Sequence, residues 1–563
     1  MSTVLRRWKT VHRLALSVLA CLMASSIPRI NLAQNTEKQP QPSQVLRIDP
    51  LLLAEASEVW SLIASADNLV WPGWNASDTP LLFYLPNEQD VLVNHPRPPS
   101  GFLPYDGLPQ FPGWRIYVKN GPTLITQDGQ NTAFDVAGVP TLAVADTLSN
   151  LRNRVVFLVM DSTPTAEKLQ HLKAENLSTN PYDQLALVTH EAFHVFQEKQ
   201  APDKGVDEML LAHYPVLSTQ NNVGFALEGS ALASALTATN RDGFRRAAVR
   251  WLAVRKDRRS KLSPQAVEYE DGAEFTEGLA TYTQYRLFEV LQGHQPSPPM
   301  NWAQGFSGYA DLAAQRHKLV QELLDQMNGT TIVNADPYGT AGLRMRLYYS
   351  GMAEGVLLDQ LLPDWKSRIF SAQISLTSLA EEALKPSPAE LERALAEAKT
   401  DSAYSSLVAE KTKLEKDGQA HAEALVKEIE TGPGIRLIIN YSRLDTPKLG
   451  MAFTPFGITA VDANRTIFSQ VPIALQFGPA GTANQTVATP LLRDTTKHLV
   501  EFRLPANSTR SEIEKTLTSQ GIGILPFTNL DLQLPGANIK AAKAQIHWSA
   551  NDLTIDILNP DTK

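Results

Sequence analysis

Cysteine is almost absent from this chain of 563 residues: the one cysteine, Cys21, lies inside an apolar N-terminal run. A chain cut beyond that run has no disulfide to draw on, so its stability rests on packing. That suits a bacterial periplasm better than a small disulfide-built secreted scaffold. Long apolar runs are lacking too. No segment after the first residues reaches the roughly 18 apolar positions that a membrane-spanning helix needs. Nor is there an excess of positive charge: 51 Lys and Arg stand against 59 Asp and Glu, a formal balance of −8. This argues against a protein built to grip nucleic acid. What remains is ordinary globular composition, 43% apolar and 20% charged, in a chain long enough for about three or four domains.

The N-terminus carries a pattern of its own. Arg6, Arg7, Lys9 and Arg13 precede the apolar stretch from Leu14 to Ala24, and small residues follow. A basic region, a short apolar core and small residues predict a secretory signal over 1–33. The polar segment 34–47 is expected to be a disordered leader. Val18-Leu19-Ala20-Cys21 also looks like a lipoprotein cleavage box. Export is therefore expected in either of two forms: periplasmic or secreted after cleavage near Ser25 to Gln34, or tethered to the membrane by a lipid on Cys21.

Further along, composition divides the chain. Between 48 and 165, β-prone segments alternate with Gly, Pro, Asn and Asp, and strands are expected at Pro80–Leu85, Trp114–Lys119, Thr141–Ala145 and Val155–Met160. From 166 to 375 the periodicity is helical. The segment 376–432 is rich in Ala, Glu, Leu and Lys, with a helix start at Ser387-Pro388-Ala389-Glu390, and reads as a helical hairpin connector. Gly432-Pro433-Gly434 ends it. The remainder, 433–563, is expected to be β-rich, with strands at Ile435–Tyr441, Ile467–Phe477, His498–Leu504, Ala544–Trp548 and Leu553–Leu558 and a helix over Thr509–Ser519. The fold class is accordingly α+β and multidomain.

The most specific chemistry lies in His190-Glu191-Ala192-Phe193-His194. Asn180-Pro181 upstream supplies an N-cap followed by proline at the first helical position, so both histidines fall well inside a helix. Residues four apart share one helix face, and two imidazoles so placed can bind one zinc ion. Glu191, on the same helix, can take a proton from water at the metal without being a ligand. Two histidines leave such a site one protein ligand short. Two downstream segments place a glutamate amid apolar helical residues, where it is costly unless paired or metal-bound: Glu228, in Phe225-Ala226-Leu227-Glu228-Gly229, and Glu277, in Phe275-Thr276-Glu277-Gly278. The burial argument applies equally to both.

Glu277-Gly278-Leu279-Ala280-Thr281-Tyr282 resembles the Glu-Gly-x-Ala-x-Tyr segment that carries the third zinc ligand in gluzincin metallopeptidases. With the histidine motif, the resemblance covers about Arg154 to Tyr285. It implies a zincin-like catalytic domain of small sheet plus helices, with one Zn2+ per chain. It further implies His190, His194 and Glu277 as ligands and Glu191 as general base. The interval from His194 to Glu277 is longer than in many members, and Glu228 lies at a more usual distance, so both glutamates stay in play. Among zincins an edge strand before the metal helix aligns the substrate peptide, and Arg154–Met160 is the nominee here.

Other residues have weaker claims. Seven arginines between Arg241 and Arg259 fit ion pairs to Glu270 and Glu274 better than a substrate grip, although Arg255 could clamp a carboxylate bidentately. Tyr282, Tyr348 and Tyr349 are candidates to donate a hydrogen bond to a developing oxyanion. The expected function is an exported zinc-dependent metallopeptidase acting on peptide or protein substrates. The alternative is a catalytically inactive zincin-like binding or assembly protein of the cell envelope.

Overall fold

The computed structural model describes residues 46–107, 113–125, 132–146, 180–297, 300–301, 305–330, 338–453, 457–469, 472–519 and 526–560. The signal and most of the leader lie outside that description, as does the expected strand Val155–Met160. Among the described residues no helix is long and apolar enough to cross a membrane. The fold is mixed α+β.

The first element among the described residues overturns the expectation of strands from residue 48 onward. Pro50–Ile63 is a helix, α1, capped by Asp49, whose side chain accepts from the Leu51 amide. Asp49-Pro50 is the same N-cap and first-turn proline device as Asn180-Pro181. Behind it Leu52, Leu53, Ala56, Val59, Trp60 and Ile63 recur at helical spacing and are all buried.

Six strands follow: β1 (Leu81–Leu85), β2 (Gln89–Val93), β3 (Leu103–Pro104), β4 (Ile116–Asn120), β5 (Thr132–Val136) and β6 (Val139–Ala145). They form one sheet in the order β3-β4-β2-β1-β6-β5, in which only the β1–β6 pairing is parallel. Every residue of β1 is buried, because the sheet is covered on both faces. Leu81, Phe83 and Leu85 enter the main core on one side, and Leu82 and Tyr84 join a smaller cluster on the other.

The helical part contains α2 (Pro181–Gln200), α3 (Thr219–Leu236), α4 (Arg241–Arg259) and α5 (Pro264–Ala273). A π-helical turn over Glu274–Gly278 carries α5 straight into α6 (Leu279–Leu291). Next come α7 (Ala313–Asn328), α8 (Thr340–Leu361) and α9 (Leu376–Leu384). The two helices expected there are present as α10 (Pro388–Lys399) and α11 (Tyr404–Thr431), but they do not pair as a hairpin: α10 packs on α4 and α11 on α3. Ser387 and Glu390 form a capping box at the start of α10. Ion pairs Arg245–Glu390 and Arg250–Glu397 lay α10 along α4.

The C-terminal part is β-rich, with strands β7 (Arg436–Asn440), β8 (Gly450–Ala452), β9 (Ile458–Ala460), β10 (Arg465–Phe468), β11 (Ala474–Gln476), β12 (Gly481–Gln485), β13 (Leu491–Asp494), β14 (Leu499–Arg503), β15 (Phe527–Leu534), β16 (Ala537–Ser549) and β17 (Asp552–Ile557). Helix α12 (Arg510–Ser519) lies between β14 and β15. The sheet order is β8-β11-β12-β16-β17-β7-β14-β13-β10-β9, with β15 against β16. The single strand expected over Ile467–Phe477 is two. β10 pairs β13 and β9, whereas β11 pairs β12 and β8. Pro472 between them has no amide hydrogen for a ladder. Apolar side chains of the N-terminal sheet, the helices and this sheet belong to one continuous buried cluster.

Candidate metal site

Helix α2 begins as its sequence requires. Asn180 accepts a hydrogen bond from the Tyr182 amide at 3.0 Å, and Pro181 occupies the first turn. Leu185, Val188, Ala192 and Phe193 are buried, with Phe193 against Trp71 and Trp74. That packing turns the remaining face, with His190 and His194, toward α6 and the π-turn. The two imidazoles sit 4.7 Å apart between centroids at 86° to each other.

Both point at one carboxylate oxygen. Glu277 Oε2 lies 3.2 Å from His190 Nε2 and 3.3 Å from His194 Nε2. One donor atom from each of the three side chains falls within 4.8 Å of the others, a group that could hold a metal ion. Two imidazole nitrogens and a carboxylate oxygen are a donor set that fits zinc with one position left open.

The π-turn decides which way Glu277 faces. A π-turn inserts an extra residue into the helical period and swings Glu277 out of line with Glu270 and Glu274. Those two meet the arginines of α4: Arg259 Nε donates to Glu270 at 2.7 Å, and Arg255 is bonded to Glu274. Gly278 has a structural task of its own. It faces Gly351 of α8, and a Cβ on Gly278 would lie 2.6 Å from the Gly351 Cα and 2.9 Å from the Leu347 carbonyl oxygen. Gly278→Ala is expected to lower stability by about 1–3 kcal/mol through overpacking and to weaken metal binding as the turn shifts. Urea unfolding with zinc titration of the same variant checks both.

Two glutamines hold the outer nitrogens of the histidines. Gln197, one turn after His194, accepts at its Oε1 from His194 Nδ1 at 3.0 Å, and its Nε2 donates to the Phe275 carbonyl within the π-turn. The donation to Phe275 orients the amide, so Nδ1 of His194 is held as a donor to Gln197 and Nε2 is the nitrogen that faces inward. Gln284 reaches His190 Nδ1 at 2.9 Å. Neither glutamine emerged from sequence reasoning, although Gln197 stands three residues from His194 on one helix face. Arg344 was missed as well. It donates to Glu277 Oε1 at 2.7 Å and is also bonded to Glu208. Its signal in the sequence was two arginines, Arg344 and Arg346, alternating with Leu343, Met345 and Leu347.

These charges shape one another. Burial would raise the Glu277 pKa, but His194, His190 and Arg344 hold it well below the usual carboxylate range. Burial pushes His194 down, yet the Glu277 carboxylate prevails and takes it up to about 9. Glu191 is shifted upward, chiefly by burial, against the opposing pull of the two histidines.

The other candidates are committed elsewhere. Glu228 is fully buried and accepts from Arg255 Nη1 at 3.2 Å and Arg258 Nε at 2.5 Å. Arg255 is itself 0% exposed and ion-paired to Glu228, Glu274 and Glu354, which removes it as a grip for a substrate carboxylate. The Tyr282 hydroxyl donates to Asp359 at 2.6 Å, and its ring packs on Trp71 and Trp365. Tyr349 is raised by burial and by the charges of Glu322 and Asp183, away from the histidines. Tyr348 alone of the three stacks on His190, with centroids 5.8 Å apart.

Comparison with protein-family models, curated proteins and solved structures finds no match for the chain.

Proposed function

We propose that the chain is an exported zinc metallopeptidase with a zincin-like catalytic region, and that His190, His194 and Glu277 hold one Zn2+. The observation carrying this reading is the convergence of His190 Nε2, His194 Nε2 and Glu277 Oε2 on one point, with Glu191 on the same helix. When bound, the metal supplies a Lewis acid that acidifies water and polarises a carbonyl. The protein's own groups do the rest. Glu191 takes the proton of the attacking water and later delivers it to the leaving amine. Of the three tyrosines, Tyr348, whose ring stacks on His190, is the one we assign to donate to the oxyanion. Water adds across the peptide bond, the C–N bond breaks, and an acid and an amine leave.

Purified mature protein is expected to carry one zinc per chain and to cleave an unstructured protein. Metal analysis beside an unbiased peptide-library digest tests both. A metal-free chain that digests nothing after zinc is supplied rules the reading out. Export is expected to show as protein outside the cytoplasm, beginning between about Ser25 and Gln34 or lipidated at Cys21. Fractionation with N-terminal mass analysis checks it, and an intact Met1 on cytoplasmic protein contradicts both forms.

A further inference from the structure

The two oxygens of Glu277 have different partners. Oε2 faces both histidines, at 3.2 and 3.3 Å, and Oε1 accepts from Arg344 Nη2 at 2.7 Å. A free carboxylate on a flexible side chain can present either oxygen, or both, to a cation. Here one is already engaged by Arg344, a residue only 8% exposed. The guanidinium is in turn fixed from its other side. Arg344 Nη1 donates to Glu208, and Glu208 also accepts from the Tyr269 hydroxyl at 3.3 Å. Tyr269 is fully buried on α5, the helix that runs into the π-turn.

We propose that Arg344, anchored by Glu208, is the positioning residue of the metal site, confining Glu277 to a single coordinating oxygen. The inference rests on the metal-site reading above and goes beyond it by assigning the residue that sets the ligand's geometry. Arg344 touches neither histidine nor substrate in this role; it acts through Glu277. The planar guanidinium suits the task because it can hold two carboxylates at once in fixed directions, which an ammonium cannot.

The same relay gives the C-terminal sheet a place in the site. Arg344 stands one turn into α8, whose first residue, Thr340, accepts at its hydroxyl from the Ile458 amide of β9 at 3.3 Å. Glu208 opens the short 3-10 segment Glu208–His213, and within it the Ala212 carbonyl accepts from the Thr466 hydroxyl of β10 at 3.3 Å. Both arms of the relay are therefore braced by neighbouring strands of the C-terminal sheet.

The test is a set of full-length variants, Arg344→Met, Arg344→Lys and Glu208→Gln, each titrated with Zn2+ against a competing chelator. Each is also loaded with Co2+ for its visible absorption. Arg344→Met is expected to weaken zinc binding roughly 10- to 100-fold, the range for a lost outer partner of a metal ligand. It should also alter the Co2+ spectrum as Glu277 becomes free to use both oxygens. A loss of packing alone would lower the melting temperature of the metal-free protein without changing that spectrum. Arg344→Lys, which keeps the cation but not the fork, should fall between wild type and Arg344→Met. An Arg344→Met protein with wild-type zinc affinity and an unchanged Co2+ spectrum overturns the proposal. Should Arg344→Met fail to fold, Glu208→Gln decides: about tenfold weaker zinc is expected, and unchanged affinity overturns it. A wild-type chain that takes up no zinc overturns the metal-site reading itself, a result distinct from either.

Discussion

Glu191→Gln is expected to keep one zinc ion per chain and to lose roughly 10²–10⁴-fold in kcat, the range for removing a general base. The substitution preserves shape and removes only the capacity to take a proton. Glu191 makes no hydrogen bond or ion pair among the described residues, so the amide leaves no partner stranded and the fold should be untouched. The measurement is turnover on one peptide, alongside zinc stoichiometry and a melting curve. Wild-type activity in this variant would falsify the role of Glu191 as the base. Activity lost together with zinc would point instead to a structural effect on α2.

Glu277→Ala and Glu228→Ala are expected to fail in opposite ways. Glu277 shares its site with His190 and His194, so its loss removes one of three ligands and leaves weakly held zinc on a folded protein. Glu228 shares its site with Arg255 and Arg258, all three at most 3% exposed. Its loss removes a carboxylate shared by two buried guanidiniums, which keep Glu274 and Glu270, and costs up to about 3–5 kcal/mol of stability, while zinc binding by the folded fraction persists. Zinc titration and urea unfolding of both variants separate the outcomes. Zinc lost from Glu228→Ala but retained at full occupancy by Glu277→Ala would reverse the ligand assignment.

Much of the site could be read in one dimension because its determinants are local. Asn180-Pro181 starts α2, and a spacing of four puts two histidines on one face; neither depends on distant residues. The pairing of Glu270 and Glu274 with the α4 arginines was similarly legible from buried charge that needs a partner. Asp49-Pro50 announces α1 as plainly as Asn180-Pro181 announces α2, although β-prone segments dominate the residues that follow it. The break at Pro472 was also present in the sequence, as a proline inside an expected strand.

The choice between Glu228 and Glu277 was of another kind. Both are glutamates followed by glycine on apolar helices, and burial demands a partner for each without naming it. The sequence alone determined that the chain carries a two-histidine helix with a glutamate beside the first histidine, and that two further glutamates were eligible to join them. Only the tertiary structure decided between them. The π-turn at Glu274–Gly278 rotates Glu277 toward α2, and the Gly278–Gly351 contact lets α8 close over it. Arg255 and Arg258 of α4 meanwhile engage Glu228. The same packing brought in Gln197, Gln284, Arg344 and Glu208, whose roles rest on hydrogen bonds closed between separate helices. A hydrogen bond is fixed by distance and direction in space, and sequence spacing specifies these within one helix but not between two.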